Sequence, residues 1–182
     1  NTFVNSHIVQ WLIDQELEVV LPPLLTFFTG SFVGFKAGVN ERIRRPDVLW
    51  ALCALGRRLV QSVLNESEVI LDGFRYYPKH RTIGEIAQTA SAAVHLTHQY
   101  GEGWLLSGEI GEFVKAGVNN VLCLQPFGCI ANHVIAKGVA RRLKDIYPQV
   151  NLLFLDLDAG GSEVNMLNRA HFFVEQAKAS GN

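Results

Sequence analysis

Apolar residues recur along the chain in two patterns: spacings of three and four that gather them on one side of a helix, and short unbroken runs that suit a buried strand. Ile8, Leu12 and Ile13 share a helical face and lead into Leu17-Glu18-Val19-Val20-Leu21, which reads as a short buried strand stopped by Pro22-Pro23. Residues 1–46 are thus expected to form an αβ unit. Val48, Leu52, Leu55, Leu59 and Val63 follow at intervals of four and three, and with Asp47 after Pro46 as N-cap they predict a helix over 48–64. From Asn65 to Arg81 the pattern is mixed, Val69-Ile70-Leu71 giving way to the aromatic stretch Phe74-Arg75-Tyr76-Tyr77-Pro78, and it assigns no element. Thr82 then caps a helix with Ile83, Ile86, Ala87, Ala90 and Val94 on one side, its small residues permitting close packing. Residues 47–98 read as a helical region.

Residues 99–182 read as a βαβα unit behind an entry helix. That helix is expected from about Glu102 to Ala116, with Leu106, Ile110, Phe113 and Val114 on one face and Gly117 ending it in a left-handed turn. The run Asn120-Val121-Leu122-Cys123-Leu124 predicts a strand, residues 132–147 a helix carrying Ile135, Val139, Leu143 and Ile146, and the run 151–156 a second strand. Residues 162–178 predict a last helix carrying Leu167, Ala170, Val174 and Ala177. Apolar strands joined by helices imply an α/β fold. The expected architecture is a parallel sheet flanked by helices, doubly wound in the Rossmann or flavodoxin manner, with added helices in the middle of the chain.

Composition narrows the classes. The 182 residues hold 16 basic and 17 acidic side chains with no basic run, which argues against nucleic-acid binding through clustered cations. The most apolar window, Val19 to Phe35, is broken by Pro22-Pro23, Thr26, Thr29, Gly30 and Ser31, so no membrane span is expected. Three separated cysteines, Cys53, Cys123 and Cys129, make no disulfide framework and suit a reducing cytoplasm. Charged residues make up 18%, below the roughly 25% usual in globular domains, which implies deep burial or surfaces that face a partner. A single methionine, Met166, and an opening Asn1-Thr2 lead us to expect a single α/β domain excised from a longer protein.

In open parallel sheets ligands gather beyond the carboxyl ends of the strands. Two loops follow the strand signals: Gln125-Pro126-Phe127-Gly128-Cys129-Ile130-Ala131-Asn132-His133, and Leu157-Asp158-Ala159-Gly160-Gly161-Ser162-Glu163. In the first, Cys129 precedes a helix start that would favour a thiolate, a nucleophile or metal ligand; the alternative is a small buried hydrophobe. Cys53 within a helix and Cys123 within a strand read as structural. In the second loop, Gly160, Gly161 and the following helix suit an anion, opposed by Asp156 and Asp158; the alternative is a tight turn with Ser162 as N-cap. His95 and His98 stand three apart in a helical segment without a third metal ligand. His133, close to Cys129, makes a Cys-His thiol pair the rival chemistry.

These same strings carry a resemblance. Gln125-Pro126-Phe127-Gly128-Cys129-Ile130-Ala131-Asn132-His133 with Lys137-Gly138, and Asp156 to Arg169 including Ser162-Glu163-Val164-Asn165-Met166-Leu167-Asn168-Arg169, resemble the C-terminal part of the large 2-hydroxyacyl-CoA dehydratase activase fusion proteins. These are similar in turn to benzoyl-CoA reductase and 2-hydroxyacyl-CoA dehydratase subunits. Gly101-Glu102-Gly103-Trp104, Asn5-Ser6-His7 and Pro22-Pro23 extend the likeness over most of the chain, while Ala131 and Ala159 depart from it where proline is expected. The resemblance implies reductive electron transfer to 2-hydroxyacyl-CoA dehydration, driven by ATP hydrolysis in an N-terminal domain and routed through iron-sulfur clusters. It makes Cys129 a candidate 4Fe-4S ligand, with Gly128, Asn132, His133, Asp158, Gly160, Gly161 and Ser162 around it. The cluster is not expected to be complete in this chain alone. Expected partners are the ATPase and other domains of the same polypeptide, a dehydratase, and acyl-CoA. A non-catalytic docking or scaffold domain is the alternative from another class.

Overall fold

In a computed structural model of the chain, which describes residues 6–46, 48–71, 73–74, 81–98, 103–158 and 160–180, the two late apolar runs pair as a parallel sheet. Asp47, the stretch from Arg75 to Pro78, Gly101, Glu102, Ala159 and the side chain of Cys53, all given roles above, lie outside the described residues. The chain divides into two compact units, Asn1–Leu21 with Phe113–Asn182, and Pro22–Glu112, which cut across the three sequence regions.

The first unit is α/β. Helix α1 (Ile8–Asp14) opens it, strands β1 (Asn120–Pro126) and β2 (Asn151–Leu157) form its sheet, and helix α7 (Glu163–Ser180) closes it. The strands run in register from Asn120 beside Asn151 to Pro126 beside Leu157. Alternation along β1 puts Val121, Cys123 and Gln125 on one buried face, while Leu122 and Leu124 pack with Leu153 and Leu155 on a core shared with α1 and α7. That core is Ile8, Leu12, Leu155, Ala170, Phe173 and Val174. Trp11 and His171 meet edge to face across it, centroids 4.9 Å apart. Leu17–Leu21 forms no strand, contrary to the expectation from its apolar run. Glu16 takes a left-handed φ of 63° as α1 ends, and Leu17 and Val19 then cover the core instead of extending the sheet. Among the described residues the sheet has two strands.

The helix expected over 132–147 is broken in two. Residues Ala131–Ala136 form a π-helical turn, in which the Lys137 amide reaches back five residues to the Asn132 carbonyl (3.0 Å), and α6 starts only at Ala140 (Ala140–Ile146). Gly138 explains the break: a Cβ there would sit 2.3 Å from the Val134 carbonyl oxygen, a contact no other residue type could make.

The second unit is helical: α2 (Leu24–Asn40), α3 (Val48–Leu71), α4 (Ile83–Ser91) and most of α5 (Gly103–Lys115). Thr82 and Glu85 form the full capping box that starts α4. The helix stops at Ser91, so Val94 packs on the core from beyond its end, and His95 and His98 lie outside any helix. The core joins Ile83, Ile86, Ala87 and Ala90 to Trp104 and Leu105 of α5. Gly108 lets α5 touch α4, because a Cβ at this position would lie 2.5 Å from the Ile86 carbonyl oxygen. Helix α3 extends seven residues beyond the predicted 48–64, and its predicted apolar stripe, Val48, Leu52, Leu55, Leu59 and Val63, is exposed throughout. No helix among the described residues is long and apolar enough to cross a membrane.

Candidate functional site at the carboxyl edge of the sheet

Because β1 and β2 are parallel, the loops that follow them leave the sheet on the same edge. Pro126-Phe127-Gly128-Cys129 makes a turn closed by the Cys129 amide on the Pro126 carbonyl (3.1 Å), and Gly128 supplies the positive φ, 71°, that such a turn needs at its third position. Cys129 is left half-buried at the mouth of the π-helical turn, whereas Cys123 is buried within β1. Its chain neighbours Phe127 and Ile130 are 79% and 57% exposed, so apolar surface flanks the thiol.

The sulfur faces an acceptor and not the amides of a helix start. Cys129 Sγ–H donates to Asn132 Oδ1 at 3.1 Å. Asn132 is 7% exposed, and its orientation is pinned by Nδ2 donating to the Leu124 carbonyl (3.1 Å). Its own carbonyl accepts from the Lys137 amide and from Gln125 Nε2 (3.1 Å). Gln125, at 0% exposure the most enclosed polar residue of the edge, leaves Oε1 without a hydrogen-bond donor among the described residues. An unmet buried carbonyl costs about 1–3 kcal/mol.

His133 does not pair with the thiol. Its Nδ1–H donates to the Cys129 carbonyl (3.0 Å), since a carbonyl can only accept, and Nε2 lies 3.2 Å from Asp156 Oδ1. The register sets up this contact: Asp156 stands beside Gln125 across the sheet and so shares the face on which the π-helical turn sits. Arg169 of α7 donates to the Phe154 carbonyl (2.5 Å) and approaches Asp156 Oδ2 at 3.9 Å. A chain of contacts thus runs from α7 through Asp156 and His133 to the backbone of Cys129. The Cys-His thiol pair is absent, both ring nitrogens being spent elsewhere.

The second loop turns its amides inward. Gly160 N–H donates to Asp158 Oδ1 (3.0 Å) and Gly161 N–H to the Asp158 carbonyl (2.9 Å), while Ser162 Oγ accepts from the Asn165 amide (3.3 Å) as the N-cap of α7. Gly160 and Gly161 therefore offer no amide to an anion in this arrangement. Among the described residues no group of three or more His, Cys, Asp or Glu could hold a metal ion. In the helical unit His95 bonds Thr97 Oγ1 through Nδ1 (2.9 Å) and lies 3.7 Å from Glu41, and the His98 carbonyl accepts from Trp104.

The edge therefore gathers Gly128, Cys129, Asn132 and His133 with Asp156, which the sequence named only as a charge opposing an anion, and with Gln125 and Arg169, to which it gave no role of their own. The sequence signal of Gln125 and Asp156 is a polar residue near the end of each apolar strand; Arg169, within α7, carries no such signal. No protein-family model, no curated protein and no solved structure matches the chain.

Proposed function

We propose that this chain is a domain of an iron-sulfur protein of the 2-hydroxyacyl-CoA dehydratase activase kind, and that Cys129 supplies one thiolate to a 4Fe-4S cluster completed by cysteines outside the chain. The observation that carries this reading is the half-buried Cys129 at the carboxyl edge of a parallel strand pair, flanked by exposed Phe127 and Ile130. Such a cluster takes about four thiolates, and Cys129 fits as one of them, with its apolar flanks suited to cover by the domain that brings the rest. When bound, the cluster supplies low-potential one-electron transfer toward an acyl-CoA. The chain's own residues hold the ligand loop in place: Gly128 turns it, Asn132 orients the sulfur, and Asp156 with Arg169 anchors His133 against the Cys129 carbonyl. In this reading β1 and β2 belong to a larger doubly wound sheet, and the protein works in a reducing, cytoplasmic compartment, where a thiolate ligand persists.

The test is anaerobic reconstitution, with iron and sulfide, of the polypeptide joining this chain to the ATPase region that the resemblance implies. Cys129→Ser is expected to lower the iron content and alter the cluster spectrum. Unchanged iron and an unchanged spectrum would exclude Cys129 as a ligand. A second reading, a docking domain without chemistry of its own, is favoured by the exposed apolar stripe of α3, and predicts that same unchanged result.

A further inference from the structure

We propose that the exposed apolar row of α3 is the contact surface of a weak symmetric dimer, in which α3 packs antiparallel on α3 of a second copy of this chain. Three observations carry it. Leu55, Leu59, Val63, Val69 and Ile70 are exposed on a helix whose other side is half-buried, so the row has no cover within one copy. Glu66 stands inside this row, three residues after Val63 and four before Ile70, and Arg58 borders it beside Leu59. Both charges are exposed, and neither forms an ion pair among the described residues.

The charges select the occupant. A helix that covers the row has to bring an apolar row of its own, with an anion level with Arg58 and a cation level with Glu66, because a carboxylate enclosed without a counter-charge is costly. Read in the reverse direction, α3 carries that pattern itself, its Glu66 and Arg58 standing eight residues apart. A parallel pairing would instead set Arg58 on Arg58 and Glu66 on Glu66. With Ser62 at the twofold axis, Arg58 of each copy is level with Glu66 of the other, Leu55 is level with Val69, and symmetry forms each contact twice. Ser62 is small and exposed, which suits the point of closest approach. A contact of one helix face per copy lies at the small end of specific interfaces, below about 1,200 Å², where association is weak. In dilute solution the row therefore stands open, and unfolding reports the single chain. The dimer is independent of Cys129 and of any cluster.

The test is sedimentation velocity on the full chain from about 10 μM to about 1 mM, a span that brackets weak association. The wild-type chain is expected to pass from monomer to dimer across it. Arg58→Glu and Glu66→Arg, each of which sets like charges face to face, are expected to weaken association at least about tenfold. An equimolar mixture of the two variants puts opposite charges back at both contacts, and is expected to associate close to the wild-type level. A gain on mixing is not what two merely loosened helices produce, and it distinguishes the antiparallel pair from any other use of the face. A chain that stays monomeric to about 1 mM, single variants that associate like the wild type, or a mixture no stronger than its components would overturn the proposal. Should either single variant lose its helical circular dichroism, the double variant Arg58→Glu with Glu66→Arg decides: it exchanges the two charges within each copy, so dimerisation at the wild-type level supports the pairing and its loss sinks it.

Discussion

Helices α7 and α3 are both amphipathic by spacing, yet they end in opposite surroundings. The stripe of α7 is modest, Ala170, Phe173, Val174 and Ala177, and all of it is buried. The stripe of α3 is stronger in leucine and valine, and all of it is exposed, Leu59 at its middle by 66%. The difference lies in what each helix has to pack on. β2 presents Leu155 and Leu153 beside α1, a surface that small side chains can approach closely, and the ranks of α7 fit it. Helix α3 turns Ala54, Val60, Leu64 and Ser67 to its half-buried side and leaves Leu52, Leu55 and Leu59 out. Periodicity thus predicts a helix and an apolar face, but it does not supply a partner for that face.

The sharpest way to test the contrast is to delete the same mass on each side of it. Leu155→Ala in β2, at zero exposure, is expected to cost about 2–5 kcal/mol, read from urea unfolding followed by circular dichroism, because the cavity it opens is walled by two helices. A loss under 1 kcal/mol would mean that the α/β core is looser than its packing indicates.

Glycines give a second pair of opposite sign. Gly108→Ala drives a methyl into the Ile86 carbonyl and side chain, 2.5 and 2.6 Å away, and is expected to destabilise the helical unit by about 1–3 kcal/mol. Gly56→Ala in α3 meets nothing within 4 Å and is expected to stabilise by about 0.5–1 kcal/mol, since alanine loses less backbone entropy on entering a helix. Thermal melts of the two variants should move in opposite directions; a lowered melting temperature for Gly56→Ala would show that the α3 surface is covered in solution.

Much of the α/β unit could be read from the pattern, and the reason is physical. β1 and β2 are apolar runs bounded by glycine and polar loops, and a parallel pair of mostly buried and half-buried residues writes itself that way. Leu17–Leu21 carries the same signature and makes no strand, because covering a core and joining a sheet ask for the same residues and differ only in whether an edge is within reach. The interruption at 137–139 was hidden for another reason: Ile135, Val139, Leu143 and Ile146 keep helical spacing through the π-helical turn, and the only local sign of the break is Gly138. At the site, the loop geometry and Gly128 follow from local rules, and so does Ser162 as a cap. The contact between His133 and Asp156 depends on the alignment of two strands thirty-one residues apart, as in the pair Gln125 and Asp156, and no local spacing encodes that register.

The smallest expected effect is also the one that decides what α3 is for. Leu55→Ala with Leu59→Ala removes two exposed leucines and introduces the best helix former, so the change in unfolding free energy should stay within about 0.5 kcal/mol. Binding of a hydrophobic dye such as ANS should fall in the same variant, because the leucines it would contact are gone while the fold is kept. If instead the double substitution costs as much as Leu155→Ala, those leucines are buried in solution, and the stripe already has its partner in a second copy of the chain, which the concentration dependence of the melt would then reveal. A stable variant with weaker dye binding leaves the stripe as an uncovered docking face, and places the contrast between α7 and α3 in their partners rather than in their sequences.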